Sequence, residues 1–339
     1  MSCKRFLAVI MGIAAISISV FGQCLPATSL TAYLAPGNTN IWLHFSAPAA
    51  GRYRVWTTTD QSINRPFPGT WLVATELNLP AGNAGWTDPE ALVPYKCYRI
   101  TAACGQTDSP PSNEVGYVKI RCNGGTSAVY TAFGLPFKFW TVQPANSPVY
   151  GTESRKPSSI IGTQTTCGDV NPSDRIVRQD VGRFAYRNVA FDCGWAGQLE
   201  ANPADVEPGR AYWYRNNSGA NRTLILVGEA DTTAVGVPTV MITGPSTQLL
   251  IPTPYSWRYP RAIPIDRLQL LEQGFTGGDS KTSDKVLSQI GGLAAVYHTG
   301  TNSWRGSLTA VSPGNAYWIQ NKHPRHNWTY TFHPVAGSQ

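Results

Sequence analysis

The chain reads as all-β: a sandwich-type module followed by two tandem copies of a second β-rich module, with at most short helices. Three observations lead there. Short alternating runs recur between turn residues through the first third of the chain. The remainder repeats one set of motifs at an offset of 110 residues. Charged residues make up only 14%, while the chain carries 32 Gly, 26 Pro and 11% aromatics, a composition suited to many short strands joined by tight turns.

Lys4 and Arg5 precede an uncharged apolar run from Phe6 to Phe21, and Val20-Phe21-Gly22 offers a cleavage point before Gln23. This is the pattern of a secretory signal peptide over residues 1–22. The run falls short of the roughly 20 residues that cross a bilayer, so no membrane span is expected after its removal. The 317 residues left exceed what one core usually serves. Loss of Lys4 and Arg5 lowers the formal charge from +7 to +5, and no run of Lys or Arg concentrates it. A nucleic-acid groove is therefore not expected. Cys3 leaves with the signal, and Cys24, Cys97, Cys104, Cys122, Cys167 and Cys193 remain, an even number with no C-x-x-C pair. That count predicts three disulfides in an oxidising compartment rather than a zinc module.

The sandwich module is assigned to residues 23–122. Asn40 to Phe45 and Tyr53 to Trp56 alternate apolar and polar, and further strands are predicted at Tyr98–Ala102 and Val115–Val118. Ala49-Ala50-Gly51 and Asp108-Ser109-Pro110-Pro111-Ser112 supply turns between them. Gly85-Trp86-Thr87-Asp88, Tyr98-Arg99-Ile100-Thr101-Ala102 and Pro111-Ser112-Asn113-Glu114-Val115 resemble the second half of a fibronectin type III domain. The resemblance implies a seven-strand sandwich, a spacer or binding scaffold without catalytic residues. Its four cysteines depart from that family. On this fold Cys97 and Cys122 would face each other across two adjacent strands that reverse near Ser109-Pro110. Cys24, opening the first strand, and Cys104, ending the sixth, would meet at the opposite pole.

The repeats are assigned to residues 130–232 and 245–334. Thr166-Cys167-Gly168-Asp169 followed by Ser173-Asp174-Arg175-Ile176 returns as Thr276-Gly277-Gly278-Asp279 followed by Ser283-Asp284-Lys285-Val286. Ile160-Ile161 matches Leu270-Leu271, at the end of a short helix-like segment opened in the second copy by Asp266, and Trp195 matches Trp304. Pro208-Gly209-Arg210-Ala211-Tyr212-Trp213 matches Pro313-Gly314-Asn315-Ala316-Tyr317-Trp318, and each copy closes on a strand-like run, at Thr223–Val227 and Thr329–Phe332. The repeats resemble β-rich modules near the C-termini of secreted and surface-associated bacterial proteins, which carry a Pro-Gly-x-x-Tyr-Trp segment. Cys167 aligns with Gly277, and the second copy has no cysteine near Asn302 to match Cys193. Joint absence predicts that Cys167 and Cys193 are partners.

No catalytic constellation emerges. Asp169, Asp174, Asp279 and Asp284 sit in loops where carboxylates cap backbone groups, with calcium as the competing reading. His298, His323, His326 and His333 crowd the last part of the chain without a nearby carboxylate or cysteine, so no metal site or cofactor is predicted. No Gly-x-Ser-x-Gly elbow or phosphate-cradling glycine loop occurs. The surplus is aromatic: 11 Trp and 15 Tyr. Trp213, Tyr214, Tyr317 and Trp318 are the candidate ligand-binding aromatics, because Arg215-Asn216-Asn217 and Gln320-Asn321-Lys322 set polar groups beside them. The expectation is a non-catalytic secreted structural or adhesive protein of the bacterial surface or matrix, whose partners are other extracellular proteins or itself. A carbohydrate-binding protein is the alternative, with glycans as ligands, and an enzyme with a site assembled across modules is the third reading.

Overall fold

A computed structural model describes residues 24–137, 155–169, 173–178, 181–206, 211–230, 239–242, 248–252, 262–289, 292–323 and 328–331, apart from 36, 38 and 62–65. The signal segment, Trp140, Trp257, His326 and His333 lie outside the described residues. The described chain is all-β, with two one-turn helices, α1 (Pro157–Ile160) and α2 (Gln198–Ala201).

The first module is built from β1 (Thr28–Leu34), β2 (Ile41–Ala47), β3 (Gly51–Thr58), β4 (Leu72–Leu79), β5 (Gly82–Thr87), β6 (Tyr95–Cys104), the short β7 (Thr107–Asp108) and β8 (Val115–Cys122). One sheet has the order β1-β2-β5, and the other carries β8-β6-β3-β4. Strict alternation fills the space between them. Along β2, Ile41, Leu43, Phe45 and Ala47 are buried, while Trp42, His44 and Ser46 face out. They meet Tyr53 and Val55 of β3, Tyr98 and Ile100 of β6, and Val115 and Tyr117 of β8.

One disulfide joins Cys24 to Cys104, as expected, but Cys97 and Cys122 are buried thiols that no disulfide joins. The reason is register. Ser109 and Ser112 each donate a backbone N–H to β6, on Ala102 O and Ile100 O. Their hydroxyls accept the N–H groups of the same two residues. Pro110 and Pro111 between them have no N–H to give, so the Ser-Pro-Pro-Ser segment lies along β6 as a substitute strand. The true ladder with β8 is thereby pushed to the far end of β6, where Cys97 stands opposite Gly116. Cys122 lies beyond the end of that ladder, opposite Arg222 of a later strand.

The second module adds β9 (Val129–Gly134), β10 (Cys167–Gly168), β11 (Arg175–Arg178), β12 (Arg183–Asn188), β13 (Gly194–Ala196), β14 (Ala211–Asn216) and β15 (Arg222–Glu229). Its sheet runs β10-β12-β11-β14-β9, with β13 on β12. Its last strand joins the sandwich instead. β15 pairs with β8 without interruption from Arg222↔Cys122 to Glu229↔Val115. The sandwich sheet is therefore six-stranded, counting the short β7 on β6, and towards its β8–β15 end it is covered on both faces. Tyr98, Val115, Tyr117 and Ile225 face the sandwich core. Tyr95, Cys97, Val118, Ile120, Cys122, Leu224 and Leu226 face a second core shared with Phe133, Ile176, Leu199 and Tyr212 of the repeat. Over Val115–Val118 of β8 and Leu224–Leu226 of β15 the residues on both faces are apolar or glycine because both faces are covered there, whereas Lys119, Arg121 and Thr223 mark where the sandwich-side cover ends.

The third module repeats the plan with β16 (Thr239–Ile242), β17 (Gln248–Pro252), β18 (Ile263–Pro264), β19 (Lys285–Ser288), β20 (Ala294–His298), β21 (Ser303–Gly306), β22 (Ala310–Val311), β23 (Ala316–Gln320) and β24 (Trp328–Thr331). Sheet order β17-β23-β19-β20-β21 matches β9-β14-β11-β12-β13. Register matches too: Val177↔Trp213 in one copy is Leu287↔Trp318 in the other. β24 pairs with β16 as β15 pairs with β8. The duplicated unit thus includes an opening strand upstream of residue 130, and in the first copy that strand is β8 of the sandwich. A disulfide joins Cys167 to Cys193, the pairing predicted from the second copy. Two disulfides fit an oxidising environment. Among the described residues no helix is long and apolar enough to cross a membrane.

Candidate binding surfaces

The repeated polar motif is a fold-closing node. Asp174 is fully buried, and its carboxylate accepts hydrogen bonds from Thr166 N (2.8 Å), Asn217 N (2.8 Å) and Tyr214 Oη (2.6 Å). Asp284, equally buried, accepts from Thr276 N (2.9 Å) and Lys322 N (2.8 Å). Each carboxylate ties the loop before one strand to the end of the Tyr-Trp strand beside it. Ile319 replaces Tyr214 in the second copy, so the phenol donor is particular to the first. Burial and the Asp174 carboxylate raise the Tyr214 phenol above its ordinary pKa, which keeps it a donor. Asp279 works locally: its Oδ1 accepts from Lys281 N and Thr282 N, both 2.8 Å, and these backbone donors hold its carboxyl below the usual range. No group of three or more His, Cys, Asp or Glu able to hold a metal occurs among the described residues.

The aromatics picked out from the sequence are placed at a seam. Trp213 and Trp318 lie 5.5 Å apart, ring against ring, and Tyr130 packs edge-on to Trp213 at 6.1 Å. Tyr214 and Tyr317 are buried, and the Tyr317 hydroxyl accepts from Ser312 N at 2.8 Å. The polar residues beside them serve the backbone: Asn216 donates to Asn123 O and Ala220 O, and Asn217 donates to Ser173 O. These four aromatics therefore do not form an open platform. Trp213 and Trp318 cover each other where the two repeats meet, while Tyr214 and Tyr317 are buried in the cores of their own repeats. The Gln289 amide accepts from Ala132 N and donates to Tyr130 O, both 2.7 Å, which caps the outer edge of β9. Gly134 N donates to Gly314 O at 2.9 Å, and Phe133 bridges to Asn315.

One open cleft stands in the third module. Ile265, Asp266, Tyr297, Asn302, Trp304 and Arg305 are among its lining residues, and it encloses about 570 Å³. Trp304 packs on Phe275 (5.1 Å) and edge-on to Tyr297 (5.5 Å), whose hydroxyl donates to Asn302 Oδ1 at 2.5 Å. Asp266, Asn302 and Arg305 are exposed, and neither charge is in an ion pair among the described residues. Sequence reasoning misses this group. Along the chain Trp304 is only the counterpart of Trp195 and Asp266 only a helix start, and the Cys193/Asn302 divergence is the single hint of a difference.

A comparison with protein-family models, with curated proteins and with solved structures finds no match for the chain.

Proposed function

We propose that the protein is a non-catalytic, secreted structural or adhesive component of a bacterial surface or matrix. The observation that carries this reading is the strand shared between modules: β15 completes the sandwich sheet, so sandwich and repeat cannot swing on a linker. Gln289 and the Trp213–Trp318 pair fix the third module to the second, and Ala262 N donates to Gln61 O of the first at 2.7 Å. Such welding suits a part that holds surfaces at fixed geometry. The residues repeated in both copies close turns and seams, which supports a scaffold over an enzyme.

An edge for association is present. Among the described residues β4 is paired only with β3, and Leu72 (75% exposed) and Val73 (44%) stand on it. Unprotected edges with apolar side chains template pairing with another chain. Sedimentation of the oxidised protein, with fractionation of producing cells, tests the reading. Oligomers, or retention in the envelope or matrix fraction, are expected, and Val73→Lys should reduce the oligomer. A monomer found wholly in the medium would overturn it.

A further inference from the structure

We infer that the cleft of the third module, between the Ile265–Leu268 turn and the β20–β21 hairpin, binds a neutral saccharide. Its volume of about 570 Å³ lies within the usual range of small-ligand sites. The chemistry of its walls is two-sided. Trp304 and Tyr297 give aromatic surface for the apolar C–H face of a sugar ring. Asp266 and the side-chain carbonyl of Asn302 accept hydrogen bonds, and Arg305 donates them in a fork. A polyol edge needs both kinds together. One carboxylate beside one guanidinium leaves the cleft without net charge, which favours a neutral sugar over a uronate or a phosphate.

The duplicated module supplies an internal control, because the matching place in the first copy is filled. Trp195, the counterpart of Trp304, donates its indole N–H to Gly162 O at 2.9 Å. Trp304 makes no hydrogen bond through its indole among the described residues. Arg187 stands where Tyr297 stands, opposite the Trp in the same hairpin register. Its guanidinium donates to Cys193 O (3.0 Å) and Thr165 O (3.0 Å), closing the wall. Helix α2 then covers the hairpin, with Glu200 accepting from Ser158 N of α1 at 3.0 Å. In the second copy Thr309 takes the place of Glu200, the chain continues into β22, and among the described residues no helix covers the hairpin. Backbone geometry is otherwise kept: Gly197 and Gly306 share a positive φ, and a Cβ at either would press on a carbonyl of the neighbouring strand. Both copies keep the hairpin, only the first keeps its cover, and the positions exposed in the second carry hydrogen-bonding side chains.

The proposal is separate from the scaffold reading, since a monomer could bind sugar and an assembling subunit could bind none. It is tested by titrating the full oxidised chain with short neutral oligosaccharides of glucose, xylose and N-acetylglucosamine, and with an oligogalacturonate. Heat and the Trp304 indole resonance are followed. At least one neutral series should shift that resonance, and Asp266→Ala or Arg305→Ala should weaken binding at least about ten-fold. Both side chains are exposed, so these variants keep the fold, and Trp304→Ala should abolish the response. No shift with any neutral series, binding of the galacturonate alone, or undiminished binding in both exposed-site variants would each overturn the assignment.

Discussion

Asp174 and Tyr214 show how much of the fold rests on single buried polar groups. The Asp174 carboxylate has no water-facing surface and is held by three donors, so removing it strands two backbone N–H groups and a phenol in a dry interior. Asp174→Ala should cost about 3 kcal/mol or more, whereas Tyr214→Phe removes one charge-assisted bond and should cost about 1.5–3 kcal/mol. Urea unfolding of the two variants checks the order, and a larger loss in Tyr214→Phe would contradict the node. Cys97 and Cys122 carry a second prediction. Burial pushes the Cys122 thiol up to about 12. A raised folded-state pKa means that its contribution is intact below the ordinary thiol value of about 8.5 and is lost as pH climbs from there toward the folded value. A thiol reagent at pH 8 should therefore label neither cysteine in the native protein and both after unfolding. A Cys97–Cys122 bridge would instead show no thiol even in denaturant.

Among elements, the Cys167–Cys193 bridge holds β10 beside β12 and the turn before β13, in the copy whose wall is closed. With a sequence separation of 26 between the cysteines, loop closure predicts about 3.5 kcal/mol of stabilisation. The double variant Cys167→Ser with Cys193→Ser should lower the melting temperature by several degrees, read by calorimetry, and no change would mean that packing alone holds the segment. This bridge is legible in the sequence because a duplicated chain carries its own comparison. The expected Cys97–Cys122 pairing fails, since strand patterns show alternation but not register. Nothing in Ser109-Pro110-Pro111-Ser112 announces that both serines imitate a strand along β6. The Trp213–Trp318 seam is hidden for a similar reason: a half-buried Trp on a strand looks the same whether water, a sugar or the sister repeat covers it.

At the scale of the whole molecule, the all-β class and the order of modules follow from composition, turn spacing and the repeat, but the boundary at residues 122–130 cuts through a continuous structure. Val118 and Ile120 of β8 point away from the sandwich core into one completed by Leu224 and Leu226 of β15. A run such as Thr223-Leu224-Ile225-Leu226-Val227 gives no sign of which partner it will take, because apolar residues on both faces fit any fully covered strand. A chain comprising residues 23–122 alone would expose Tyr95, Cys97, Val118 and Ile120 together with the unpaired edge of β8. Exposed contiguous apolar surface beside an open edge leads to association rather than a stable monomer. The 23–122 chain should aggregate or sediment as oligomers, while a chain of residues 23–232, which keeps β15, should be soluble and melt in one transition with its sandwich. Separate melting of sandwich and repeat in the longer chain, or a stable monomeric 23–122, would show that β15 is a dispensable addition. The sharing of β8 would then not be what joins the modules.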